Sequence, residues 1–186
     1  MTTATSDPIN IKIGQVFDTL DANQDGYVDW SDYQRLIDRH ISAYRLDRND
    51  RRVAALTATY AISWQEILRH AGSSSDRLTK DEYVAATRLA SIDTSRINLI
   101  EGLPHAVFDV IDVNGDNEVS GDEFARYTQD VWGIAAPDAL EAFTALDIDG
   151  DGLISRQEFI RAFREFYFSS DLHAPGSLLF GRLVGA

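Results

Sequence analysis

Three twelve-residue stretches of this chain carry oxygen-bearing side chains at the same offsets. The first holds Asp21, Asn23, Asp25 and Asp32, the second Asp112, Asn114, Asp116 and Glu123, and the third Asp147, Asp149, Asp151 and Glu158. Oxygens stand at positions 1, 3 and 5 of each stretch, and an acid stands at position 12. Thirteen of the 30 carboxylates fall in these stretches, about twice what an even spread would place there. A tight loop aims alternate side chains at one centre. Donors that are all oxygen suit a hard cation, which takes about 6–8 oxygens. One such stretch could be an acidic surface turn rich in Asp, Asn and Gly; three in register point to cation binding. Position 6 must turn sharply and needs a residue that tolerates positive φ. Gly26 and Gly152 supply it directly, and Asn117 is the usual substitute.

The elements that hold these loops are legible in the flanks. Ile13, Val16, Phe17 and Leu20 precede the first loop at helical spacing; Val107, Phe108 and Ile111 precede the second; Ala139, Ala142, Phe143 and Leu146 precede the third. Position 13 is aromatic each time (Tyr33, Phe124, Phe159), and apolar residues such as Leu36, Ile37, Phe163 and Phe166 continue a helix beyond. Position 8 is Val28, Val119 or Ile154, a residue suited to a short cross-strand pair between neighbouring loops. The same template finds a fourth copy over Ala71 to Glu82, in register through Leu78, Glu82 and Tyr83, with Trp64 and Ile67 on its incoming helix. Its ligand positions are lost. Ala71 has no side-chain oxygen, Ser73 and Ser75 are neutral, and Arg77 and Lys80 add positive charge, so this unit is expected to be structural and metal-free. Glu82 has a use without metal, because Thr79 and Glu82 form a capping box, as do Ser120 with Glu123, Ser155 with Glu158 and, in shorter form, Asp29 with Asp32. Asp7-Pro8 reads as the N-cap and first residue of the opening helix. Gly102 and Pro104 predict a kinked or split helix before the loop at Asp112.

Composition narrows the function. The chain has 186 residues, 44% of them hydrophobic, with a net charge of −13. That excess disfavours nucleic acid and anionic membranes as partners. There is no cysteine, so disulfides, thiolate metal sites and cysteine nucleophiles are excluded. The four histidines occur singly, without zinc-ligand spacing. Gly-rich phosphate loops and a nucleophile elbow are absent from the sequence. No apolar run is long enough to cross a membrane, and Met1 to Gly14 does not read as a signal peptide. A cytoplasmic monomer is the expectation.

Four helix–loop–helix units with these loops resemble the calmodulin superfamily of EF-hand proteins. The loop starts at 21, 71, 112 and 147, the lost second hand, the aromatic run from Phe163 to Phe168 and the apolar tail around Leu178-Leu179-Phe180-Gly181-Arg182-Leu183 are similar to the sarcoplasmic calcium-binding proteins and the bacterial calerythrin. The resemblance implies an all-α fold of two EF-hand pairs packed into one compact globule, with short strand pairing between loops. The first pair would span residues 1–92 and the second 93–168, with a boundary near Ser91–Ser95; the tail, 169–186, would pack on the body. It implies calcium at the first, third and fourth hands. By position, the ligands would be Asp21, Asn23, Asp25, Tyr27 and Asp32; Asp112, Asn114, Asp116, Glu118 and Glu123; and Asp147, Asp149, Asp151, Leu153 and Glu158, with Tyr27, Glu118 and Leu153 acting through their carbonyls.

Two residues depart from the pattern. Asn117 replaces glycine, and Asp32 replaces the usual glutamate and is one methylene shorter. Asp32 closes the shell with both oxygens only if its helix moves inward; otherwise water fills the gap and magnesium, smaller and octahedral, is favoured at the first site. The family implies a calcium buffer or signal modulator rather than an enzyme. A target-binding sensor needs a groove that opens, and such grooves are often lined with Met; the only Met here is Met1. A more remote alternative is a photoprotein or luciferin-binding protein, with Trp30, Trp64, Trp132, His40, His105 and His173 as candidate cavity residues. Such residues more often serve as core aromatics and surface histidines.

Overall fold

The computed structural model describes residues 7–72, 74–93 and 99–183. Helix α1 (Pro8–Leu20) begins where Asp7 caps it, its carboxylate accepting from the Ile9 N–H at 2.9 Å. It leads through the first loop into β1 (Tyr27–Asp29) and α2 (Trp30–Tyr44). The second hand is α3 (Arg51–Ala71), β2 (Arg77–Thr79) and α4 (Lys80–Ile92). The third is α5 (Leu99–Ile111), β3 (Glu118–Ser120) and α6 (Gly121–Arg126), which ends in a π-turn over Tyr127–Val131. The fourth is α7 (Ala136–Leu146), β4 (Leu153–Ser155) and α8 (Arg156–Phe168), followed by a 3-10 turn at Pro175–Leu178.

The loops pair as position 8 implies. β1 and β2 run antiparallel with Val28 opposite Leu78, and β3 and β4 with Val119 opposite Ile154. All four residues are fully buried, so each short ribbon is held by an apolar pair as well as its backbone ladder. The capping boxes at Asp29–Asp32, Ser120–Glu123 and Ser155–Glu158 are formed, and Glu82 accepts from the Thr79 N–H and hydroxyl at 2.9 and 2.8 Å. Each such cap contributes about 0.5–2 kcal/mol, so the outgoing helix of the second hand is held by its cap as those of the other hands are.

The helix into the third loop is neither split nor interrupted: α5 runs continuously through Pro104. Pro104 lies in the first half of the helix, and the second half is anchored by its apolar face of Val107, Phe108 and Ile111, all buried. Packing therefore outweighs the loss of one backbone donor.

One apolar core runs through both pairs, from Ile13 and Phe17 to Phe163 and Phe166. α3 packs on α4 within its pair and on α5 across the pairs, and α1 packs on α8. His40, expected at the surface, is fully buried on α2. Its Nδ1–H donates to the Leu36 carbonyl at 2.9 Å, and its ring lies 6.2 Å from Tyr60 and 6.0 Å from Tyr127. Desolvation pushes its pKa down to about 4, so the ring is neutral in the fold. The Tyr44 hydroxyl donates to the Glu123 carbonyl at 2.8 Å, joining the end of α2 to the third hand.

The tail lies in the core. Leu179 is fully buried, and the Phe180 ring sits 4.4 Å from Trp132, 4.7 Å from Phe166 and 5.7 Å from Phe163. Gln15 of α1 donates to the Phe180 carbonyl at 2.7 Å. Lys12, also on α1, has no exposed surface; its ammonium donates to the carbonyls of Glu165 and Ser169 at 2.9 and 2.7 Å, at the end of α8. A cation at a helix C-terminus meets the negative end of the dipole and the free carbonyls together.

Candidate metal centre

In each of the three acid-rich loops the first aspartate organises the backbone. Asp21 accepts from the N–H groups of Asp25 and Gly26 at 3.1 and 3.0 Å. Asp112 accepts from Gly115 and Asn117 at 2.8 and 3.0 Å, and Asp147 from Gly150 and Gly152, both at 2.9 Å. The N–H that reaches back from position 6 requires a left-handed turn there. Gly26, Asn117 and Gly152 have φ of 82°, 67° and 87°. Position 4 is left-handed as well, at Gly115, Gly150 and, without glycine, Gln24 at φ 56°, a strain the sequence did not announce.

The donors at positions 3 and 5 are brought together. Asn23 donates to Asp25 at 2.9 Å, and Asn114 to Asp116 at 2.7 Å. In the fourth hand an aspartate replaces the asparagine, and Asp147, Asp149 and Asp151 place carboxylate oxygens within 4.8 Å of one another. Three carboxylates at that range repel strongly unless a cation lies among them. Tyr27, Glu118 and Leu153 are the first residues of β1, β3 and β4.

Position 12 distinguishes the hands. Glu123 accepts from the Val113 N–H through Oε1 and from the Ser120 N–H and hydroxyl through Oε2, at 2.9, 2.9 and 2.8 Å. Glu158 does the same with Ile148 and Ser155, each contact at 2.8 Å. These glutamates therefore span their loops. Asp32 caps the Asp29 N–H at 2.8 Å through Oδ2, but the N–H at position 2, Ala22, bonds instead to the Leu20 carbonyl at 2.7 Å. The other oxygen of Asp32 is held by the Arg35 guanidinium. Burial, which exceeds the opposing pull of the Asp29 N–H and Arg35, raises the Asp32 pKa. Burial pushes Glu158 up too, but its hydrogen bonds from Ser155, Ile148 and Asp149 together bring it below its ordinary value.

Among the described residues, no such cluster of carboxylates is found in the second hand. Ala71 is the last residue of α3, Lys80 pairs with Asp18 at 2.7 Å, and the Arg77 guanidinium lies 4.1 Å from the Tyr27 ring centre. Ser73 lies outside the described residues.

A family model of the EF-hand domain pair matches residues 105–164, and one of the single EF hand matches 13–37. Both stretches are therefore EF-hand units. A search of curated proteins finds no significant match. Among solved structures, the chain is similar to a calcium-binding protein from Streptomyces coelicolor, described as acting in prokaryotic calcium-mediated regulation. The two are 26% identical over 86% of this chain and 97% of that one, with a TM-score of 0.71. Two further likenesses concern the fold. Calcium-loaded apo-aequorin from Aequorea victoria is 23% identical over 86% of this chain and 92% of that one, at a TM-score of 0.68. The sarcoplasmic calcium-binding protein from amphioxus is 19% identical over 94% and 97%, also at 0.68.

Three contacts emerge in the structure, two of them with a signal in the sequence. Arg35 stands three residues beyond Asp32 on one helix face, a visible signal for an ion pair. Lys12 interrupts the apolar stripe of α1 between Ile9 and Val16, which marks it as a buried charge seeking a partner. The Tyr44 bond to the third hand left no local trace.

Proposed function

We propose that this protein binds three calcium ions, at the first, third and fourth hands, and serves as a closed calcium buffer or signal modulator without catalysis. The ligands are the five residues at positions 1, 3, 5, 7 and 12 of each of these three loops, and the second hand stays empty. The observation that supports the closed state is the tail: Leu179 and Phe180 are buried in the core, with the Phe180 ring against Trp132, Phe163 and Phe166. Burying a Leu or Phe contributes about 1.5–3 kcal/mol each. Residues 1–92 and 93–168 make the two pairs, and 169–186 the sealing tail, of a cytoplasmic monomer.

The oxygen-only donors support a hard cation, and the bound ion would neutralise the clustered carboxylates and tie each outgoing helix to its loop. Native mass spectrometry in calcium is expected to find three ions. Four would overturn the reading of the second hand, and one or none would overturn the site assignments.

The sensor alternative predicts strong binding of a hydrophobic dye when calcium is added; the closed reading predicts little. The luciferin-binding alternative has one supporting feature, an interior cavity lined by Tyr33, Tyr60, Tyr83, Tyr127, Trp132 and Phe180. Its volume is about 50 Å³, room for a few waters, whereas pockets for small organic ligands run to about 300–1,000 Å³. Size weighs against that alternative.

A further inference from the structure

All three acid-rich hands carry arginine at position 15: Arg35, Arg126 and Arg161. The lost second hand has Ala85 there. The three arginines nevertheless do different things. Arg161 turns along α8 to Glu165, at 2.8 Å. Among the described residues, neither Arg126 nor Arg161 pairs with the glutamate at its own position 12. Arg35 alone pairs with the acid at position 12, Asp32.

The physical reason is the missing methylene. Glu123 and Glu158 reach across their loops to the position-2 N–H, which turns their carboxylates away from the outgoing helix. Asp32 stops short, caps Asp29, and leaves its second oxygen beside the helix where Arg35 stands. Asp32 is buried, with 4% of its side chain exposed, whereas the Arg35 side chain is 42% exposed. The arginine therefore has somewhere to go. It borders an open surface groove of about 570 Å³ shared with Asp38, Arg39, Ser42 and Arg45. Its Nε is buried without a partner in the present arrangement, so moving into solvent would satisfy that donor.

We propose that Arg35 is a gate on the first site: its guanidinium competes with the incoming cation for Asp32 and swings into the groove when the ion binds. This rests on reading the first loop as a cation site. The ion must displace one positive charge before it gains its position-12 ligand, so the first site is weakened relative to the others for a reason beyond carboxylate length. The dead hand needs no such residue, and the other two hands hold theirs out of reach.

The test is a calcium titration followed by amide resonances of the full chain. Gly26, Asn117 and Gly152 each donate to the first aspartate of their own loop, so their signals report the three sites separately. A partly exposed ion pair contributes about 1 kcal/mol or less. Arg35→Gln is therefore expected to tighten calcium at Gly26 about three- to fivefold, with Asn117 and Gly152 unchanged. Arg126→Gln and Arg161→Gln should each change their own sites less than twofold. Equal tightening by all three substitutions would overturn the gate in favour of general charge, and so would no change at Gly26 in Arg35→Gln. A Gly26 signal that ignores calcium in every variant would instead overturn the first site itself, and the gate with it. Arg35→Lys keeps the charge on a more flexible stem and is expected to remain close to the parent; behaviour like Arg35→Gln would mean that the ion pair is not what holds Asp32.

Discussion

Asp32 shows how one methylene changes a site. Its carboxylate serves the cap of α2 and the Arg35 guanidinium, while the corresponding glutamates of the third and fourth hands bridge cap and loop. Asp32→Glu should restore that bridge, raising calcium preference over magnesium at the first site by about tenfold, the equivalent of one good charge-assisted contact. Calorimetric calcium titration with and without millimolar magnesium reads this directly, and an unchanged magnesium competition would refute the short-carboxylate argument. The choice between the ions depends on ligand reach: calcium accepts a bidentate acid in an irregular shell, whereas magnesium keeps water and octahedral geometry.

The tail depends on an element-level fit that glycine alone allows. Gly176 sits so close to α8 that a Cβ there would fall 2.3 Å from the Ala162 carbonyl oxygen and 2.6 Å from the Glu165 Cβ. These are fixed parts of a helix, so the tail must move instead. Gly176→Ala is expected to cost about 1–3 kcal/mol and to lift the 3-10 turn away from α8. A lower melting temperature together with stronger dye binding in calcium is the expected signature. Deleting residues 176–186 should enhance the dye signal further. Equal, weak binding by the full and truncated chains would show that the tail covers nothing.

At the scale of the molecule, the two pairs and the tail are joined by a few polar contacts inside a continuous core. Lys12 is the one with a pH signature. Burial lowers its pKa from 10.5 to about 8, against the opposing pull of Glu165, Asp171 and Asp7. Between those values the unfolded chain holds a proton that the folded chain has released, so this group makes folding more favourable as pH rises. Lys12→Met lacks that contribution. The stability of the parent minus that of the variant, from urea unfolding, should therefore grow between pH 8 and 9.5, by at most about 1.4 kcal/mol per pH unit. Buried Tyr33 and Tyr83, both pushed above their ordinary pKa by desolvation, act in the opposite direction at higher pH, but they are common to both chains and cancel in the difference. A flat difference would mean that the Lys12 ammonium is not desolvated.

The sequence by itself determined the loops and their caps, because each depends on residues within a dozen positions, and it marked position 8 of each loop for the pairing. Oxygen spacing, the left-handed residue at position 6, the capping boxes and the apolar residue at position 8 are local constraints, and Val28–Leu78 and Val119–Ile154 meet as that logic requires. The tertiary structure decided what depends on distant neighbours. His40 reads as a surface residue in sequence and lies between Tyr60 and Tyr127 in space. Pro104 reads as a kink or a split, and α5 is not split because its apolar face is buried. Lys12 finds carbonyls more than 150 residues away. Periodicity tells which face of a helix is apolar but not which helix will cover it. The partners of a buried charge, the depth of a tail and the reach of Arg35 are therefore settled only in the packed molecule.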